Sequence, residues 1–166
     1  MTELDEAYAR ARVLAGMGRD DEASQAVADI LARDPRHLGA LLLKAWLRAE
    51  DGDSEGSLAL TAEAAALWPR SAEAQNAVAR CLHAMGRDDD ALAQAETARA
   101  LLDEGDNALQ APAVYLTLVW CLREKRRFRE AIAMAEEGLR RAPDAVLAQW
   151  ANQVEDELVA AEKERC

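Results

Sequence analysis

Aromatic side chains make up only 4% of this sequence, histidine occurs twice, and lysine is confined to Lys44, Lys125 and Lys163. So few rings exclude a core built on aromatic stacking. Two histidines, His37 and His83, leave little material for imidazole catalysis. Strand-like alternation of apolar and polar residues is absent. No apolar run is long enough to cross a bilayer; the longest, APAVYLTLVWCL at 111–122, reads as a buried helix. Three cysteines, Cys81, Cys121 and Cys166, form neither an even disulfide framework nor a metal-type spacing. The opening residues show no charged stretch followed by an apolar one, so no secretory signal is expected. These absences together predict a reducing, cytoplasmic setting.

What the chain does have is length, alanine and acid. Its 166 residues suffice for one domain that buries roughly 70% of its unfolded surface. Half the residues are apolar and alanine dominates, which favours closely packed helices at little cost in side-chain entropy. Thirty-one acids against 20 bases give a net charge of −11. That balance argues against nucleic acid and against an anionic membrane surface as partners.

The order of the residues is periodic. MGRDDEA at 17–23 returns almost unchanged as MGRDDDA at 85–91, with a blurred copy, DGDSEGS, at 51–57. Gly18, Gly52 and Gly86 are each 34 residues apart, as are Pro35 and Pro69. A fixed period of this size marks a protein of stacked repeats.

Apolar residues recur at helical spacing through each repeat. Thr2 can cap a first helix ending near Gly16, and a second runs over Asp20–Arg33 with acids first and Arg33 last, as the helix dipole prefers. The same plan predicts helices at about His37–Glu50, Ser54–Leu67, Ser71–Ala84 and Asp88–Leu102. The period then slips: Asp103 stands where a proline is due, and an insertion, 104–111, precedes Pro112, a good first residue of a helix. Helices to about Lys125 and over Phe128–Arg141 follow, with Arg126 in the glycine column. A last helix, about 144–165, has the apolar stripe Leu147, Trp150, Ala151, Val154, Leu158 and Ala161 and one polar face, which suits a helix that caps a solenoid.

These columns resemble the tetratricopeptide repeat family, whose unit is a 34-residue helix–turn–helix. The small column reads Ala11, Ala45, Ala79, Val119; the turn column Gly18, Gly52, Gly86, Arg126; the next Ala23, Ser57, Ala91, Ala131; the closing one Pro35, Pro69, Asp103, Pro143. The large aromatic of the family's first helix appears only as Leu41 and Tyr115, with Ala7 and Gln75 in the other two repeats. The resemblance implies an all-α, right-handed superhelical solenoid of four hairpins (about 4–36, 37–70, 71–103 and 112–143) plus a capping helix, in a single domain. It implies a non-catalytic protein-interaction module. The first helices would line a groove for a peptide or helix of a partner: Tyr8, Arg12, Leu42, Leu43, Trp46, Asn76, Ala77, Arg80, His83, Leu116, Trp120 and Arg123. Arginines beside tryptophans suit a peptide with apolar anchors and a carboxylate.

Plainer readings stand beside these. Trp46 and Trp120 can be packing between repeats, and the capping stripe can fold over Trp120. His37 reads as a loop residue. Asp88 and Asp89 read as helix-start acids, and Cys81 and Cys121, in the column of Val13 and Leu47, as small buried hydrophobes. Cys166 reads as an exposed terminal thiol. No phosphate loop, zinc spacing or nucleophile elbow is present, so no enzyme activity, cofactor or metal is expected. Chaperone-adaptor members of the family grip a terminal carboxylate with lysines, asparagines and an arginine. The matching places here hold Tyr8, Arg12, Leu43, Glu73 and Ala77, or, one repeat on, Leu42, Trp46, Ala77, Ala113 and Thr117, so that clamp is not expected. A homo-oligomeric assembly module and a small acidic secretion chaperone are the alternatives.

Overall fold

The computed structural model describes residues 2–164. Every regular element among them is helical: α1 (Glu3–Gly16), α2 (Asp20–Arg33), α3 (Leu38–Glu50), α4 (Ser54–Leu67), α5 (Ala72–Ala84), α6 (Asp88–Ala100), a short 3₁₀ turn (Gly105–Gln110), α7 (Ala111–Glu124), α8 (Phe128–Arg141) and α9 (Ala145–Lys163). Successive helices pair as antiparallel hairpins, α1/α2, α3/α4, α5/α6 and α7/α8, and the chain ends in the longer α9. The expected all-α hairpin architecture is what forms. Cys166 lies outside the described residues.

Local chemistry sets the boundaries. Thr2 and Asp5 form a reciprocal capping box: the Asp5 amide donates to Thr2 Oγ1 at 3.2 Å, and the Thr2 amide donates to Asp5 Oδ2 at 2.7 Å. Ser71 and Asp144 cap α5 and α9 in the simpler way, each accepting an amide three residues on. The turn glycines Gly18, Gly52 and Gly86 sit at φ +70°, +84° and +72°, a region closed to most side chains. Arg126 adopts the same conformation, φ +57°, where the column lost its glycine.

The backbone falls into two compact units that divide at Pro69–Arg70. In the first, Ala11, Ala23 and Ala40 are fully buried and let α1, α2 and α3 approach closely around Leu14, Val27, Ile30 and Leu47. In the second, Ala79, Ala95, Ala98, Ala131 and Ala135 play the same part around Val114, Tyr115, Leu118, Leu122, Leu147 and Val154. Each buried Leu, Ile or Val contributes about 1.5–3 kcal/mol. Gly138 is a contact glycine: a Cβ there would lie 2.7 Å from both Tyr115 and Leu147, so α8 can pass this close to α7 and α9 only without a side chain.

The insertion at 104–111 is tied down by one side chain. Asn107 Oδ1 accepts from the Ala72 amide at 3.0 Å, and its Nδ2 donates to the carbonyls of Arg70 and Leu101 at 2.9 and 3.1 Å. Two expectations change. Val13 is 61% exposed and Cys81 only half-buried, so of that column Leu47 and Cys121 alone are core. His37 is a helix cap, its Nδ1 accepting from the Ala40 amide at 3.1 Å while its ring lies 5.3 Å from Tyr8.

Candidate functional site

The residues of interest lie on the first helix of each hairpin. In the first unit Tyr8 is half-buried on α1 and rests against Gly39, where a Cβ would come within 2.5 Å of Tyr8 Cζ. The Arg12 guanidinium sits 5.9 Å from the centre of the Tyr8 ring, a cation–π distance. Leu42 and Leu43 are half-buried on α3, Leu43 against the core. Trp46, one turn beyond Leu42, is 37% exposed. Exposure at that level makes Trp46 a surface indole rather than a core one.

The second unit is more engaged. Arg80 is exposed and pairs with no acid among the described residues. Ala77 and Leu116 are half-buried, Leu116 against the core. Asn76 is buried, and its Oδ1 has no hydrogen-bond partner among the described residues. Trp120 stacks on His83, ring centres 6.0 Å apart and 16° from parallel, and meets Trp150 of α9 edge-on, also at 6.0 Å. Its indole Nε1 is buried and likewise unpartnered. Arg123 lies 5.5 Å over the Trp150 ring and places Nε and a terminal nitrogen 2.9 Å from the Glu157 carboxylate. The hydrogen bond to Arg123 holds the Glu157 carboxyl below its usual range. The capping helix therefore lies over Trp120 and Arg123, while Arg80 and Asn76 carry no such cover from it.

The acids at the start of α6 do not cap it. Asp88 Oδ1 lies 2.7 Å from His83 Nδ1, Asp89 pairs with Lys125, and Asp90 pairs with Arg87 at 2.8 Å. Cys121 completes a cluster with His83 and Asp88 in which one donor atom from each lies within 4.8 Å of the others. Burial, with the Asp88 carboxylate adding to it, pushes the Cys121 thiol up to about 12. No spacing in the sequence signals this group, because its members come from separate elements and Cys121 follows a full repeat later.

Residues 70–144 match the tetratricopeptide repeat family model. Those residues are of the TPR type, and the described chain has the TPR-type helical-repeat fold. Solved structures agree over more of its length. A thermophilic TPR protein of Thermus thermophilus superposes with a TM-score of 0.78 at 22% identity, over 92% of this chain and 81% of that one. PilF of Pseudomonas aeruginosa gives 0.77 at 17% identity, over 96% and 72%. The TPR2B domain of yeast Sti1, solved as its pHsp70 complex, gives 0.64 at 17% identity, over 73% and 97%. At these identities the likeness is one of fold. No curated protein matches the chain by sequence. None of the described helices is long and apolar enough to cross a membrane.

Proposed function

We propose that this TPR-type protein is a non-catalytic interaction module that holds a peptide or helix of a partner protein on the faces of its first helices. One observation carries the reading: on the part of the second unit's first-helix face that α9 leaves clear, Asn76 buries an acceptor, Oδ1, that has no donor among the described residues. An unpaired buried polar atom costs roughly 1–3 kcal/mol. A polypeptide segment brings the missing N–H in each non-proline residue. Within the second unit Arg80, exposed and unpaired among the described residues, supplies charge for an acidic side chain; within the first unit exposed Trp46 separately supplies an apolar anchor.

Catalysis has no support in the His–acid–thiol grouping found among the described residues. Its thiol is fully buried and held protonated, the opposite of a reactive cysteine. Thiols with no disulfide at Cys81 and Cys121 support a cytoplasmic setting.

The test is capture from a native-host lysate, read by mass spectrometry, with wild type beside a Trp46→Ala/Arg80→Glu double variant of matched helicity. A partner lost only by the variant supports the reading. A partner kept by both moves the contact off these helices. Recovery of nothing but the chain itself replaces the reading with self-assembly.

A further inference from the structure

The strongest unassigned feature is the meeting of His83 (end of α5), Asp88 (start of α6) and Cys121 (α7), whose donor atoms all lie within 4.8 Å of one another. We propose that these three side chains form a site for a borderline divalent cation of the zinc class, with water as the fourth ligand. The donor set selects the ion. An imidazole nitrogen, a thiolate and a carboxylate suit Zn²⁺, whereas Mg²⁺ and Ca²⁺ prefer all-oxygen shells.

The geometry is close to what such an ion needs. Zn–N and Zn–O bonds of about 2.0–2.2 Å and a Zn–S bond of about 2.3 Å place tetrahedral donors roughly 3.5 Å apart. Here His83 Nδ1 and Asp88 Oδ1 are 2.7 Å apart and the whole set spans no more than 4.8 Å, so side-chain adjustment of about 1 Å suffices. Entry is open: the side chains of His83 and Asp88 are 24% and 23% exposed, while Cys121 forms the buried floor. The ring of His83 is held in place by the stack on Trp120.

Charge points the same way. Binding releases the thiol proton to solvent, and the dication then meets one thiolate, one carboxylate and one neutral imidazole, a set with no net charge. That neutrality lowers the cost of placing charge at a site floored by a buried side chain. The other acids of the turn do not compete, since Asp89 is held by Lys125 and Asp90 by Arg87. Asp88 is the α6 acid that turns away from its own helix start toward the thiol.

The test is titration of the reduced, metal-stripped full chain with Co²⁺ alone, followed by displacement with Zn²⁺. One equivalent should produce a thiolate-to-cobalt charge-transfer band and tetrahedral visible bands, both abolished by zinc. Cys121→Ser should remove the charge-transfer band. His83→Gln and Asp88→Asn, partly exposed positions whose replacement leaves the apolar core intact, should weaken cobalt binding at least tenfold. The absence of the band in wild type, its persistence in Cys121→Ser, or unchanged affinity in the His83 and Asp88 variants would each overturn the site. Those two variants decide the matter even if Cys121→Ser does not fold.

Discussion

Arg123 grips Glu157 of the capping helix with two nitrogens, each 2.9 Å from the carboxylate, while its guanidinium covers the Trp150 ring. Both partners are 28% exposed, so solvent weakens the pair. Glu157→Gln should cost about 0.5–1 kcal/mol at neutral pH and low salt. The folded Glu157 carboxyl lies below its ordinary value of 4.5. Its contribution is therefore present above that value and disappears as pH falls through the lowered one. Urea midpoints should differ between wild type and variant at pH 7 and converge in acid and in 1 M salt. A constant gap would show that the glutamine disturbs α9 packing instead.

Tyr115 presents the opposite sign. Its hydroxyl donates to Glu137 Oε1 at 2.5 Å, with Arg99 3.3 Å from the same carboxylate. Burial first, and then the hydrogen bond to Glu137, push the phenol from 10.0 up to about 12. Stability from the protonated phenol is complete below pH 10 and is lost as pH rises through about 12. Tyr115→Phe should cost about 1.5–3 kcal/mol at pH 8, in the range for a hydrogen bond to a charged group. The gap to wild type should narrow between pH 10 and 12 in denaturant titrations. Parallel curves across that range would mean the hydroxyl contributes little.

The repeat register was legible because it rests on backbone demands: glycines where φ is positive, alanines where helices cross, prolines where they end. The eight hairpin helices and α9 fall within about two residues of the expected bounds. What was not legible depends on rotamer choices between elements. His37 reads as a loop residue until its Nδ1 meets the Ala40 amide. Asp88 reads as a helix-start acid until it faces His83 across the turn. Of the groove residues, the exposed Trp46 and Arg80 fit a surface role, whereas Trp120 is met by the capping stripe that the sequence allows to fold over it, and Arg123 by Glu157, a pairing no spacing signals.

Asn107 gives the insertion its structural purpose. Three hydrogen bonds from one side chain join it to the start of α5 and the end of α6. Asn107→Ala should destabilise by about 2 kcal/mol, since net contributions run near 1 kcal/mol each and do not add fully. Asn107→Asp keeps the acceptor for the Ala72 amide but loses both donations, so its midpoint in thermal or urea unfolding should fall between those of wild type and the alanine variant. Equal loss in both variants would assign the stability to the donated bonds alone.

Arg126 occupies a glycine's conformation at φ +57°. The strain costs about 1–2 kcal/mol, and the guanidinium 5.8 Å from the Phe128 ring returns about 0.5 kcal/mol at such an exposed position. Glycine also loses more chain entropy on folding. Arg126→Gly should therefore raise stability slightly, by about 0.5 kcal/mol, shifting the urea midpoint upward with an unchanged slope. A loss above about 1 kcal/mol would mean that the arginine side chain contributes more than its ring contact.

Trp46 separates packing from recognition. Core removal of a tryptophan costs about 3–5 kcal/mol, but this one is 37% exposed and lies outside the buried cluster of its unit. Trp46→Ala should therefore cost less than about 2 kcal/mol of stability by urea unfolding. If the indole anchors a partner segment, the same change should weaken partner binding by about 2 kcal/mol or more, roughly thirtyfold in Kd. Large stability loss with unaltered binding would return Trp46 to packing and leave Arg80 and Asn76 to carry recognition in their own unit. Small loss of stability with strong loss of binding is the combination that only a surface anchor produces.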